Sequence, residues 1–300
     1  MRIIVVIIFM AAAFGILNCS NSKSDLLVIQ YPNPRPDSVA LPFLPGIVCT
    51  DSLDFNLAFS PDGTTIYFSR SKQGKWAILQ SKFDGKNWSV PTTASFSESA
   101  YSQADPFVAI DGSIYYISNR PKNEKDTLGD FDIWFVQPHD GNRWSHPINV
   151  EEINSDSTEY YVSVANNGNI YFASTRAGGY GGHDIYMSKL VNGKYATPEN
   201  LGSGVNTLAD EHDPLILEEE KYLIFNSFAR PDSYGEADLY FSSRKPDGSW
   251  DNSKNMGSLF NTPTYEYCPN LSPDKKYFFF SSENDVKWVN SNKLPFKLAD

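Results

Sequence analysis

The sequence predicts an all-β fold, a β-propeller of five four-stranded blades closed by an N-terminal strand, and three observations carry that prediction. A tight turn between apolar strands recurs five times: FSPDGTTIYF from Phe59, VAIDGSIYY from Val108, VANNGNIYF from Val164, ILEEEKYLIF from Ile216 and LSPDKKYFFF from Leu271. A second hairpin signal follows in four of the units, at Asp84-Gly85, Asp140-Gly141, Asn192-Gly193 and Asp247-Gly248, each with an aromatic residue soon after (Trp88, Trp144, Tyr195 and Trp250). The 17 Tyr, 20 Phe, 19 Gly and 19 Pro suit half-buried pleated strands joined by many turns.

Two hairpins make four strands per unit. Units of this kind, about 40–55 residues long, are what a propeller blade needs, because each blade buries its faces against its neighbours. A β-sandwich is the runner-up, but its strands would not repeat in groups of four. Aligning the first turns places Asp54, Gln103, Glu159, Glu211 and Glu266 in one column, 49, 56, 52 and 55 residues apart. Four positions earlier every unit carries a hydroxyl, at Thr50, Ser99, Ser155, Thr207 and Thr262. The fifth unit lacks its second hairpin, while Gly46 to Thr50 matches the end of an outer strand with no blade before it. An N-terminal strand is therefore expected to complete the last blade and remove a sheet edge, with Ile47 and Val48 pairing around Lys287 to Asn290.

Residues 1–18 read as an export signal: Arg2, then an apolar run from Ile3 to Leu17 that is short for an ordinary membrane span. Cys19 follows directly, and Ile16-Leu17-Asn18-Cys19 resembles the lipobox of bacterial lipoproteins, which implies lipidation at Cys19 and a membrane anchor in the cell envelope, most simply the outer membrane. Residues 19–40 then read as a polar tether and 41–300 as the propeller. The 25 basic against 36 acidic residues give a formal net charge of −11, which repels a phosphate backbone and excludes general nucleic-acid binding.

The SPDG turn with its following Tyr-Phe, the GGYGGHDIY stretch and the linker PENLGSGVNTLADEHDP resemble the WD-repeat-like propellers of the TolB type, found in secreted and outer-membrane bacterial proteins. The resemblance spans about residues 40–295. It implies a binding platform and, because such propellers usually have six blades, a six-bladed arrangement as the alternative to five. The motifs specify a fold rather than a reaction.

With strands lettered from the pore outward, the first-to-second and third-to-fourth turns lie on one face. The second-to-third loops and the crossings between blades lie on the other, together with the acid column and the second-strand arginines Arg70, Arg120, Arg176 and Arg230. Longer, more varied loops gather there, so that face is the expected working face. The glycines 178, 179, 181 and 182 fall in one of its loops; a strand follows them, not a helix, so they read as a sharp connection and not a phosphate cradle. The aspartates after such loops, Asp132, Asp184 and Asp238, read as holding loop amides or pairing with the arginines. The acid column with its hydroxyls reads first as a repeated hydrogen-bonded crossing. A second column two residues on (Asn56, Asp105, Tyr161, Asp213 and Cys268) varies from blade to blade, as a ligand-specific surface should.

The candidate ligand-binding residues are therefore Asp54, Asp105, Glu159, Tyr160, Tyr180, Glu211, Asp213, Glu266 and Tyr267. His139, His146, His183 and His212 show no metal-ligand spacing, and no nucleophile motif is present, so no metal, cofactor or catalytic residue is assigned. Cys49 and Cys268 belong to the outer and inner strands of the closing blade, too far apart for a disulfide. Three functions fit. The first is a non-enzymatic envelope platform for a protein or polymer partner. The second is glycan or peptide binding in nutrient uptake, with exposed tyrosines stacking on sugar rings. The third is a propeller glycoside hydrolase using carboxylates at the pore mouth.

Overall fold

The computed structural model describes residues 29–139 and 143–299; the export signal, Cys19 and the Asp140-Gly141 turn lie outside the described residues. Five four-stranded antiparallel sheets make up the propeller, and the only helical element among the described residues is a single 3₁₀ turn, Ser291–Lys293. From the pore outward, blade one comprises Asp54–Phe59, Thr65–Lys72, Lys75–Lys82 and Thr92–Thr93. Blade two comprises Gln103–Val108, Ile114–Ser118, Asp132–Val136 and Ile148–Asn149, and blade three Glu159–Val164, Ile170–Ser174, Asp184–Ser188 and Glu199–Asn200. Blade four comprises Glu211–Leu217, Tyr222–Phe228, Ala237–Ser243 and Lys254–Asn255. Blade five is Tyr267–Leu271, Tyr277–Ser282 and Asp285–Asn290, with Leu41–Pro42 as its outermost strand.

The N-terminal strand thus closes the ring, but six residues earlier than the alignment suggests. Leu41 pairs with Trp288 and Pro42 with Lys287, and the Phe43 amide donates to Val286 O at 2.9 Å. Ile47 and Val48 instead belong to a tight turn in which both amides donate to Leu44 O. The same turn recurs where Ile153 and Asn154 donate to Val150 O, Val205 and Asn206 to Gly202 O, and Phe260 and Asn261 to Gly257 O. Each instance buries one apolar residue, Val48, Ile153, Val205 or Phe260. The apolar position that recurs two residues before the hydroxyl is therefore a turn plug, not a strand residue.

The outer strands are correspondingly short. The turns at Asn192-Gly193 and its counterparts cap small excursions, such as Leu190–Val191 against Lys194–Tyr195 and the bridges Phe83–Trp88 and Arg244–Trp250, and the true outer strand follows a few residues later. Between blades five and one, Phe43, Phe59, Phe279 and Trp288 form a buried aromatic cluster. The segment expected to be a free tether joins it from Ile29 onward: Tyr31 donates to Asp274 at 2.7 Å and packs on Tyr277 with ring centroids 4.5 Å apart. Gly63 leaves the room for Ile29, since a Cβ there would lie 2.5 Å from the Ile29 side chain.

Closure by Leu41–Phe43 is expected to be worth several kcal/mol. Phe43→Ala, which empties a fully buried site, should destabilise by about 3–5 kcal/mol. Ile47→Ala, at a half-buried turn position, should cost clearly less. Chemical denaturation of both variants checks this, and equal losses would return the closing role to residues 46–50.

Candidate functional site at the pore mouth

The acid column settles where each inner strand begins. Asp54, Glu159, Glu211 and Glu266 are fully buried, and each accepts from both the hydroxyl and the amide of the residue four positions earlier: for Glu211, Thr207 Oγ1 at 2.7 Å and Thr207 N at 2.9 Å. Arg70, Arg176 and Arg230 complete three of these nodes, donating to the acid and to carbonyls of the preceding turn plug, as Arg230 does to Glu211 at 2.8 Å and to Val205 O at 2.7 Å. In blade two, where Gln103 replaces the acid, Arg120 pairs with Glu98 instead. Glu266 has no arginine and is held by the hydroxyls of Thr262, Thr264 and Ser282. These four acids of the candidate set do not line the cavity; their oxygens are committed to the crossings.

The glycine loop is built for close approach. A Cβ on Gly181 would lie 1.9 Å from Ala209 O, and one on Gly182 2.1 Å from Asp210 Oδ1, so the loop can press on the next blade's crossing only with glycine at both places. Gly235 stands in the same relation to Thr262 O and Thr264 O. Asp184 accepts from the Tyr180 and Gly181 amides, and Asp238 from those of Tyr234 and Gly235, so both hold loop amides. Asp132 accepts from Asn149 and pairs with Lys122 at 3.2 Å; Arg70, Arg176 and Arg230 serve the acid column and Arg120 serves Glu98, not these aspartates.

The variable column is where the strands break rule. Each inner strand shifts register there, between Phe55 and Leu57, Ala104 and Phe107, Tyr160 and Val162, His212 and Leu215, and Tyr267 and Asn270. Asn56, Asp105, Tyr161, Asp213 and Cys268 all have left-handed backbones, with φ between 41° and 57°. Such bulges re-aim side chains and recur beside functional sites. Here they bring the column together: Asn56 Nδ2 donates to Asp105 Oδ1 at 3.3 Å, Cys268 Sγ approaches the same oxygen at 3.7 Å, and Cys268 N donates to Asp213 Oδ2 at 3.0 Å.

A cavity of about 720 Å³ opens above this floor on the face of the second-to-third loops and the crossings. Asp105, Asp213 and Cys268 reach it from below. Phe55, Tyr160, His212 and Tyr267, the residues directly before the bulge in four blades, form its wall with Trp76 and Tyr265. Tyr265 and Tyr267 stack with centroids 4.6 Å apart, and Phe55 meets Trp76 edge-on at 5.8 Å. Of the candidate residues, Asp105, Tyr160, Asp213 and Tyr267 meet here. Tyr180 does not; it stands exposed on the glycine loop.

Burial, reinforced by Asp213, raises Asp105 well above the usual carboxylate range, and burial raises Asp213 against the opposing pull of the Cys268 amide. Burial and these two carboxylates push the Cys268 thiol up, which leaves it inert as a nucleophile. Cys49 and Cys268 are both free. At the rim, His183 and His212 face each other with ring centroids 4.1 Å apart, beside Asp210. Burial lowers His183, and burial together with its neighbour lowers His212 to about 3, so both imidazoles are neutral at neutral pH. Sequence spacing hid this pair: His183 comes from a loop of blade three and His212 from the first strand of blade four.

No protein-family profile and no curated protein matches the chain. Solved structures do resemble it. An α-L-arabinofuranosidase from Lactobacillus brevis aligns with TM-score 0.55 at 13% identity, covering 82% of this chain and 92% of that one. An endo-arabinase from Bacteroides thetaiotaomicron aligns with TM-score 0.54 at 13% identity, covering 88% and 99%. A thermostable family-43 glycoside hydrolase aligns with TM-score 0.52 at 12% identity, covering 87% and 91%. At these identities the likeness establishes the five-bladed propeller fold.

The Asp105 environment sets a pH dependence. Because its folded pKa is raised, its contribution to stability is fully present below the ordinary carboxylate range and is lost as pH rises toward the folded value. Asp105→Asn should remove that loss, raising the melting temperature at pH 8 by roughly 2–4 °C per kcal/mol relieved and leaving it unchanged near pH 4. Melting curves at the two pH values check this; a variant less stable than the parent at pH 8 would show that the charged form is the one the fold holds.

Proposed function

We propose that the pore-mouth cavity binds a glycan and hydrolyses it, with Asp105 and Asp213 as the paired carboxyls. The observation that carries this reading is the meeting of two buried carboxyls at one residue, Cys268, on the floor of an aromatic-walled cavity. Aromatic walls suit the apolar faces of sugar rings, and burial raises both carboxyls, Asp105 further through the Asp213 charge, which favours a protonated Asp105 as the acid. Asp105 protonates the glycosidic oxygen as the bond from the anomeric carbon to that oxygen breaks. Asp213 takes the proton of the water that adds to the anomeric carbon, so the step balances without a further reactant. The three solved structures described above are glycoside hydrolases, which fits this reading better than a non-enzymatic docking platform. The sequence of Arg2, the Ile3–Leu17 run and Cys19 supports export and lipid anchoring at the envelope, where such polymers are met.

The test is turnover of a panel of arabinan, xylan and aryl-glycoside substrates by the parent chain. Asp105→Asn and Asp213→Asn should each lower kcat by about 10²–10⁴-fold while oligosaccharide binding persists. Saturable glycan binding without turnover would reduce the reading to a glycan-binding propeller. Neither binding nor turnover would overturn it.

A further inference from the structure

We propose that His183, Asp210 and His212 form a binding site for a first-row transition metal ion, with Zn²⁺ as the reference ion, at the rim of the cavity. The donor atoms come from two blades that the glycine loop forces together. His183 N donates to Asp210 Oδ1 at 2.9 Å and Glu211 N to His183 O at 3.0 Å, so the loop is laced to the first strand of blade four on both sides of the histidine. Asp210 directly precedes that strand and His212 is its second residue, so the two flank Glu211, which is turned into its crossing node. One ligand atom from each of the three lies within 4.8 Å of the others. Tetrahedral Zn²⁺ with bonds of about 2.0–2.1 Å places its ligands about 3.4 Å apart, within reach of small side-chain rotations.

The facing imidazoles, tilted by 38°, alone leave one feature unexplained. His183 Nδ1 is buried with no hydrogen-bond partner, 3.7 Å from Asp210 Oδ1, and a buried polar nitrogen left unmatched is costly. A metal ion gives that nitrogen a partner. Two imidazoles and one carboxylate suit Zn²⁺, Co²⁺, Ni²⁺ or Cu²⁺ and not the all-oxygen preference of Ca²⁺ or Mg²⁺. Three protein ligands leave a coordination position for water or for a ligand in the cavity, since both histidines line it. The site is independent of the hydrolytic reading and stands or falls on metal binding alone.

The full chain, stripped with chelator and dialysed, should bind one Zn²⁺ per molecule by calorimetry and elemental analysis, and Co²⁺ should give the visible absorption of a low-coordinate site. His183→Ala and His212→Ala should each weaken Zn²⁺ binding by at least about 100-fold, the upper end of what loss of a merely supporting residue costs. Asp210→Asn, which keeps the acceptor for His183 N, should weaken it and alter the Co²⁺ spectrum. The surface double variant His139→Ala/His146→Ala should bind as the parent does. Should an alanine variant not fold, the glutamine replacements and a chelator-reversible rise in the parent's melting temperature on Zn²⁺ addition serve instead. Absence of stoichiometric Zn²⁺ in the parent, binding unchanged in both histidine variants, or binding lost with His139 and His146 would each overturn the site.

Discussion

Everything at the pore depends on the carboxylate that opens four of the five inner strands. Its two oxygens tie down a hydroxyl and an amide four residues back, and in blades one, three and four an arginine that also caps the carbonyls of the turn plug. A buried charge without partners is untenable, whereas one with three or four charge-assisted contacts fixes geometry. Removing one partner of such a pair costs about 3–5 kcal/mol, which makes the node a strong local constraint even though the intact pair adds little net stability. Blades two and five show the same logic with other parts. Gln103 needs no counter-charge, so Arg120 turns to Glu98; Glu266 trades the arginine for three hydroxyls.

Fixing the strand entrance also fixes the bulge. Regular alternation would put the residue two past the acid on the acid's own face, inside the crossing. A left-handed residue at that position breaks the alternation, so in blades four and five the residue before the bulge and the bulge residue both line the cavity, one as wall and one as floor. Non-glycine residues pay for this backbone with about 1 kcal/mol or more each, a strain that persists at five equivalent positions because the nodes on one side and the strand ladders on the other leave no alternative. Repeated strain at sites where the side chain changes from blade to blade is the mark of a position kept for what it presents.

Much of this was legible in the sequence. The acid and hydroxyl columns stood out because every blade makes the same crossing, and the variable column stood out because the pore does not repeat. Closure by an N-terminal strand followed from the unpaired fifth unit, but its register did not: Val48 looks like a strand residue, and only the recurrence of buried Ile153, Val205 and Phe260 in turns identifies it as a plug. The docking of Ile29 and Tyr31 was not legible, because their short apolar run from Leu26 carries no part of the repeat and is flanked by Ser, Asn, Pro and Asp. Phe55, Trp76 and Tyr265 were invisible as cavity wall, since an aromatic in or beside a strand reads as core until the bulge that redirects it is known.

The pairing of His183 with His212 shows why single-chain spacing fails in a propeller. Metal motifs are read from residues on one element, where spacing and direction are coupled. Here the coupling runs through Gly181 and Gly182, whose missing side chains let one blade's loop rest on the next blade's crossing, with no atom to spare at Ala209 O or Asp210 Oδ1. Gly235 repeats the approach one blade later, but the residue two past it is Ala237 where the earlier loop has His183 two past Gly181, and Tyr267 stands at the strand position of His212. The architecture therefore builds the same junction twice and arms it once. The glycine stretch is neither a phosphate cradle nor only a turn: it is the hinge of contact that decides which side chains of adjacent blades meet at the rim.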